Sequence, residues 1–380
     1  MSYTTISFDV SDRSNILNFI QVAWEFYKND SAWVPPLLKE RLDLLSPSHP
    51  YFEHAQANFW IAYQNDKPVG RISAQIDQLK SSSDIHLVGY FGLFECIDDD
   101  ALANELLKKA EQWLVSKNCK IIRGPYNLSI NQESGLLIDG FSTPPFIMMG
   151  HARPYYAKLL LSNGYEKAKD MYAWINHSEF LNPPAMERLI ERYSNRIILR
   201  NVEKKYVKRD IKYMFEIFND AWEKNWGFIP FTENEFFHLG KEMMLLVDPE
   251  YFIIAELDGE PVGMIAALPN FNETIKDLNG RLFPTGWIKF LWRLKFSPPV
   301  SARVPLLGIK QQYQNTLIGS ALAYMLIGKI KGVGIDRGIT SHELSWVLED
   351  NDRLNKILES LGSTRYKTYR IFEKNLSQSV

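Results

Sequence analysis

A chain of 380 residues with 46% hydrophobic and 23% charged side chains has ordinary globular composition and is long enough for two cores. A formal net charge of -2 excludes an overall electrostatic pull toward nucleic acid, so any basic surface must be local. Cys96 and Cys119 form neither a metal-ligand spacing nor a disulfide framework, and the opening MSYTTISFDVSDRS lacks the basic and apolar regions of a signal peptide, so the expectation is a cytoplasmic protein without a metal centre. No apolar run is expected to span a bilayer.

In chain order, a strand is predicted at 4–8, with Ser11 or Asp12 capping a helix whose apolar stripe is Ile16, Phe19, Ile20, Ala23 and Trp24. Trp33-Val34-Pro35-Pro36 breaks that helix. Strands at 59–63 and 69–76 flank the hairpin signal Asn65-Asp66-Lys67-Pro68. A strand at 89–94, an acidic turn, a helix at 102–115 and a polar passage at 123–151 follow, with a short strand at 135–138. The first half then closes with a helix at 155–161, Gly164 and a strand at 168–175.

The second half repeats this order. Ala23-Trp24-Glu25 recurs as Ala221-Trp222-Glu223, 198 positions on (221 minus 23). Pro68-Val69-Gly70 recurs as Pro261-Val262-Gly263, 193 positions on (261 minus 68), and Lys169 matches Lys367 at 198 (367 minus 169). Such a period indicates two copies of one domain rather than a solenoid. The expected division is a first domain at 1–177, a linker helix at 178–195 opened by Asn182-Pro183-Pro184, and a second domain at 196–380. Each copy reads as α/β (α+β), a mixed and mostly antiparallel sheet flanked by helices.

The most informative stretch is 303–374. A strand at 304–309 runs into the polar turn 311–316, a small-residue helix start at Ile318-Gly319-Ser320-Ala321, a strand ending near 348, a helix from about 352, Gly362 and a last strand at 367–372. A strand, a glycine-bearing turn and a helix N-terminus suit a phosphate, because unpaired N–H groups and the helix dipole converge there.

This order and these motifs resemble the GNAT N-acetyltransferase superfamily, here as a tandem pair. The resemblance implies that Leu307, Gly308, Ile309, Gln314, Asn315, Thr316, Leu317, Ile318, Gly319, Ser320 and Asn351 hold acyl-CoA or acetyl-CoA as co-substrate. Gln314 and Gly319 match the family's Arg/Gln-x-x-Gly-x-Gly/Ala turn, whereas Leu317 stands where its middle glycine belongs. Asn351 and Gly362 match the second signature and imply a catalytic part for Asn351, but Leu358 occupies the place of the tyrosine that often acts as general acid.

Among residues able to take a proton, Glu343 lies mid-strand in an apolar stretch, on the face of Ser345 and opposite His342, Leu344 and Trp346. Burial would raise its pKa toward that of a general base; a salt-bridged structural carboxylate is the alternative. Glu349 and Asp350 read as caps for the next helix, together with Asn351. The first copy's corresponding turn, 95–101, has no glycine and carries Glu95, Asp98, Asp99 and Asp100, so it should repel a pyrophosphate. Asn127, Ser129, Asn131 and Glu133 place polar groups on one side of an extended segment that could bind an acceptor's head group or satisfy its own backbone. His151 has no evident partner.

Residues 286–300 combine Trp287, Phe290, Leu291 and Leu294 on one helical face with Lys289 and Arg293 opposite, and no acidic residue. The segment suits either a peripheral contact with the inner face of a membrane or packing on its own domain. The expected function is acyl-CoA-dependent N-acyl transfer to an amine, small or lipidic; the tandem layout is similar to bacterial ceramide synthases. The alternatives are a Fem-type aminoacyl-tRNA-dependent transferase, for which no basic helical arm is found, and a non-catalytic GNAT-fold binding protein.

Overall fold

The computed structural model describes residues 3–79, 86–178 and 184–376; the predicted helix opening at Asn182-Pro183 lies outside them. The first half runs β1 (Thr4–Phe8), α1 (Arg13–Tyr27), α2 (Leu38–Leu44), β2 (Ala55–Gln64), β3 (Lys67–Asp77), β4 (Val88–Cys96), α3 (Asp100–Ser116), β5 (Ile121–Gly124), β6 (Leu136–Asp139), α4 (Tyr156–Ser162) and β7 (Glu166–His177). The second runs α5 (Pro184–Tyr193), β8 (Ile197–Asn201), α6 (Val207–Trp222), α7 (Glu233–Leu246), β9 (Phe252–Leu257), β10 (Glu260–Pro269), α8 (Asn272–Ile275), α9 (Gly286–Phe296), β11 (Ser301–Ile309), α10 (Leu317–Asp336), β12 (Ser341–Leu348), α11 (Asp352–Ser360) and β13 (Thr364–Asn375). Apart from β6, α5, α8 and α9, the two halves are the same sequence of elements.

The repeated tripeptides mark the same device in each half. Both hairpins use two-residue turns with positive φ, Asn65-Asp66 and Asp258-Gly259, whose twist matches the flanking strands. Just beyond each turn, one extra residue bulges the second strand: Val69 between Pro68↔Tyr63 and Gly70↔Ala62, and Val262 between Pro261↔Glu256 and Gly263↔Ala255. Of Ser11 and Asp12, it is Asp12 that caps α1, its carboxylate accepting from Asn15 N at 3.1 Å.

Two compact units emerge, and they are not contiguous halves: one holds residues 1–171, 272–298 and 367–380, the other 172–271 and 299–366. In the first, the strand order is β1-β2-β3-β4-β5-β13, with β6 also paired to β13. Phe8, Phe19 and Phe59 form its aromatic centre, with the Phe19 and Phe59 rings 5.2 Å apart edge-to-face. In the second, the order is β7-β12-β11-β10-β9-β8. The last strand of the second repeat therefore completes the first unit's sheet, in register from Phe372↔Gly124 to Asn375↔Ile121. Sequence spacing cannot reveal this, because either terminal strand has the apolar alternation to pair with either sheet.

Side chains hold that strand in place. Arg370 forks onto Asp170 at 2.7 and 3.0 Å. Lys367, fully buried, donates to Gly140 O at 2.5 Å and Thr143 O at 2.8 Å. Lys367→Met keeps the stem but strips both carbonyls of their donor, and a loss of about 2–4 kcal/mol is expected in urea unfolding. An unchanged midpoint would show that the ammonium contributes nothing.

Candidate functional site

The second unit contains a gap in its sheet. β11 pairs in parallel with β12 from Ser301↔Ser341 to Val304↔Leu344, and the ladder stops there. From Leu306 to Ile309 the strand is bonded to β10 on one side and, among the described residues, has no strand on the other. Pro305, at the point of separation, has no N–H to offer. Lys310 N–H donates to Val262 O at 2.9 Å, so alternation turns the backbone groups of Leu307 and Ile309 toward the open edge. Gly308 faces Trp222, whose ring would lie 2.5 Å from an added Cβ.

Beyond β11 the chain makes a one-turn 3-10 helix, Gln311–Tyr313, and enters α10. Thr316 is the N-cap, its hydroxyl accepting from Gly319 N at 3.0 Å. An added Cβ on Gly319 would lie 2.0 Å from Tyr313 O, so only glycine permits this tight entry. Leu317 is 57% exposed: its side chain turns into solvent, and its N–H and that of Ile318 lie in the first turn, where no intrahelical acceptor exists. Gln314 closes the turn from within, donating to Ile309 O at 2.8 Å and Ala221 O at 2.9 Å.

A cation joins this turn. Arg353, in the first turn of α11, donates to Thr316 O at 3.0 Å, to Asn315 Oδ1 at 3.3 Å and to Ser320 Oγ. Asn351 caps the same helix, accepting from Leu354 N at 3.2 Å, and so positions Arg353. Sequence reasoning missed Arg353 because nothing local marks an arginine two residues past a cap as facing another helix start.

At the closed end of the gap, Glu343 is fully buried on β12. Its carboxylate accepts from Ser345 Oγ at 2.5 Å and from the Tyr366 hydroxyl, with Arg303 Nε 3.7 Å away. Arg303 in turn donates to Ser345 Oγ at 2.8 Å and Ser345 O at 3.1 Å. Tyr366 is only partly buried, so it links the hidden carboxylate to the exterior. Leu358, where the resemblance would place a tyrosine, is fully buried against Trp174 and Val347 and offers no proton.

The Acetyltransferase (GNAT) family model matches residues 211–362. Over 377 residues the chain is 40% identical to "Protein YghO" of Escherichia coli (strain K12), covering 99% of this chain and 97% of that protein. Over 370 residues it is 39% identical to "Bacterial ceramide synthase" of Caulobacter vibrioides (strain NA1000 / CB15N), covering 97% and 96%. The chain belongs to the GNAT acetyltransferase superfamily. A solved tandem GNAT protein from the clavulanic acid biosynthesis pathway shares the fold at a TM-score of 0.57 and 10% identity, with 100% of both chains covered. A GCN5-related N-acetyltransferase from Sphaerobacter thermophilus does so at 0.52 and 14%, covering 100% of this chain and 97% of its own.

In the first copy of this GNAT pair the corresponding gap is filled. β4 and β5 pair from Val88↔Ile121 to Tyr90↔Arg123, and residues 126–128 then take the open edge. Tyr126 N donates to Phe91 O at 2.7 Å, and Leu93 N to Asn127 Oδ1 at 2.9 Å. An added Cβ on Gly92 would lie 1.7 Å from Tyr126 O. Gln75 fastens the insert by donating to Tyr126 O at 2.8 Å and Leu128 O at 3.0 Å. The helix start below is capped by Asp99, which accepts from Leu102 N at 2.9 Å. That hydrogen bond, followed by one from Tyr3, lowers the Asp99 pKa, which keeps an anion where a phosphate would need a donor.

Asn127, Ser129 and Glu133 are engaged within this unit. Asn127 also donates to Glu133 Oε2 at 2.8 Å, Glu133 pairs with Arg41, and Ser129 Oγ accepts from Asn131 N at 3.0 Å. His151 has a partner the sequence did not reveal, Asp30, with Nε2 3.0 Å from its carboxylate. α10 is 20 residues long and apolar enough by composition to cross a membrane, contrary to expectation. Half of its apolar window is buried in its own unit, where it packs on β10 and β11.

His342 is buried against α10, where Gly334 leaves it room. Desolvation pushes its pKa down from 6.5 to about 4. The folded state therefore binds fewer protons than the unfolded one between those values, and stability is lost as pH falls from about 6.5 toward 4. His342→Leu should remove an acid-side loss on the order of 3 kcal/mol. Chemical unfolding of both proteins at pH 7, 5.5 and 4.5 reads it, and parallel curves would refute it.

Proposed function

We propose that the protein is an acyl-CoA-dependent N-acyltransferase whose second copy holds the donor and whose acceptor is a lipid amine. The observation that carries this reading is the gap between β11 and β12, left open in the second copy and filled in the first. Five strand steps from Val304 to Ile309 span roughly 17 Å, a length suited to an extended pantetheine arm bonding the backbone of Leu307 and Ile309. At one end of that edge, the N–H groups of Leu317 and Ile318 and the guanidinium of Arg353 suit a pyrophosphate. At the other, Glu343 and Tyr366 suit the chemistry.

In this reading the ammonium of the acceptor loses its proton through the Tyr366 hydroxyl to Glu343. The free amine attacks the thioester carbonyl, the C–N bond forms, the C–S bond breaks, and CoA leaves with a proton. Glu343 accepts two hydroxyl hydrogen bonds and lies near Arg303, which gives a buried carboxylate a defined orientation. The relative named bacterial ceramide synthase favours a lipid amine over a small one.

Thiol release from acetyl-, short-chain and long-chain acyl-CoA, with sphingoid and small amines offered, tests this. Glu343→Gln should lower turnover by roughly 10²- to 10⁴-fold while leaving CoA affinity near wild type. Tyr366→Phe should lower it by about tenfold, and Arg353→Ala should raise the apparent Kd for CoA by about tenfold with a smaller effect on turnover. Gly319→Ala should lose CoA binding. Wild-type turnover in both Glu343→Gln and Tyr366→Phe would reject the proton path, and absence of CoA binding by calorimetry would reject the reading itself. A second reading, a binding protein without turnover, is favoured by Leu358 in the core; tight CoA binding without thiol release from any pair would establish it.

A further inference from the structure

The 272–298 stretch of the first unit carries an apolar surface that the acylation reading does not use. Its base is anchored: Trp24 Nε1 donates to Asn279 Oδ1 at 2.6 Å, Leu38 N to Gly280 O at 2.9 Å, and Asn272 Nδ2 to Pro145 O at 2.9 Å. Phe290 packs on Val34, Ile275 and Leu278, fixing one side of α9. The sequence expectation put Phe290 with Trp287 on a single apolar face and the cations opposite. Instead the helix turns Phe290 inward, while Lys289 and Arg293 both bind Asp277.

What remains outward is mostly apolar. Ile288, Leu291, Trp292 and Phe296 are 53%, 54%, 58% and 61% exposed, and Phe283, before the helix, is 74% exposed. Lys295 lies among them on the exposed side. Arg281, Phe283, Ile288, Lys289 and Trp292 line an open depression of about 600 Å³. From 276 to 300 the chain has five basic residues and one acidic residue, Asp277, which is already neutralised. A rigid helix with exposed Trp, Leu, Ile and Phe and a local positive excess complements a surface that is negative outside and apolar beneath.

We propose that α9 docks the protein on the surface of an anionic phospholipid bilayer. Ile288, Leu291, Trp292 and Phe296 enter the interfacial region, and Arg281 and Lys295 meet headgroup phosphates. A second copy of the chain is a less suitable occupant, because the positive excess would face itself. This inference is independent of the acyl-transfer reading.

The test is co-flotation of the full chain with phosphatidylcholine vesicles that contain or lack phosphatidylglycerol. The wild type should float with the anionic vesicles and lose binding as salt rises. Leu291→Ser/Trp292→Ser should weaken flotation by at least roughly tenfold, and Arg281→Glu/Lys295→Glu should weaken it on anionic vesicles. All four positions are exposed, and matching circular dichroism and melting curves establish that the variants fold. Failure of the wild type to float, or wild-type flotation of the serine variant, overturns the proposal. Equal binding to both vesicle types overturns the anionic assignment. A concentration-dependent dimer that the serine variant abolishes, seen in sedimentation without lipid, assigns the face to a second copy instead.

Discussion

A β-strand edge left without a partner is costly to leave dry and exposed, and the end of the ladder at Val304↔Leu344 creates one. The groups around the candidate site are arranged along that edge. The backbone of Leu307 and Ile309 faces it, the start of α10 closes its outer end, and Glu343 lies one residue inside the last pair. Because the strands are parallel, their separation opens toward the helix start. A free strand edge and an anion-suited turn are thereby brought together by one interruption of pairing.

The first copy meets the same constraint differently. Its β4 edge is satisfied by residues 126–128, with Gly92 allowing the approach and Gln75 holding the insert. Both copies keep the two-residue hairpin and the bulge at Val69 and Val262. The scaffold is thus common to both, and the occupant of the gap is what distinguishes them.

Each unit also buries a carboxylate opposite an arginine in cross-strand register, Glu95 with Arg71 and Glu343 with Arg303. In the first, Tyr27 and Tyr156 donate to Glu95 at 2.8 and 2.6 Å, and burial raises the Glu95 pKa. All of those groups are buried. In the second, Tyr366 is partly open, which gives Glu343 a route outward that Glu95 lacks. Buried pairs of this kind cost desolvation and are weak evidence for stability, so their orientation of neighbouring groups is the more informative property.

Local chemistry was legible from the residues alone. Asp12 and Asn351 cap helices because a short side chain can reach an N–H three residues on. Asn65-Asp66 turns because it tolerates positive φ, and the repeated tripeptides mark the same bulge because both depend only on near neighbours. Glu343 and Ser345 share a face by strand alternation. Which sheet β13 completes, what fills the gap after Tyr90, and that Arg353 meets Thr316 were decided only in three dimensions. Each depends on groups 34 to 254 (375 minus 121) residues apart finding one another, and alternation, caps and turn signals carry no information at that range.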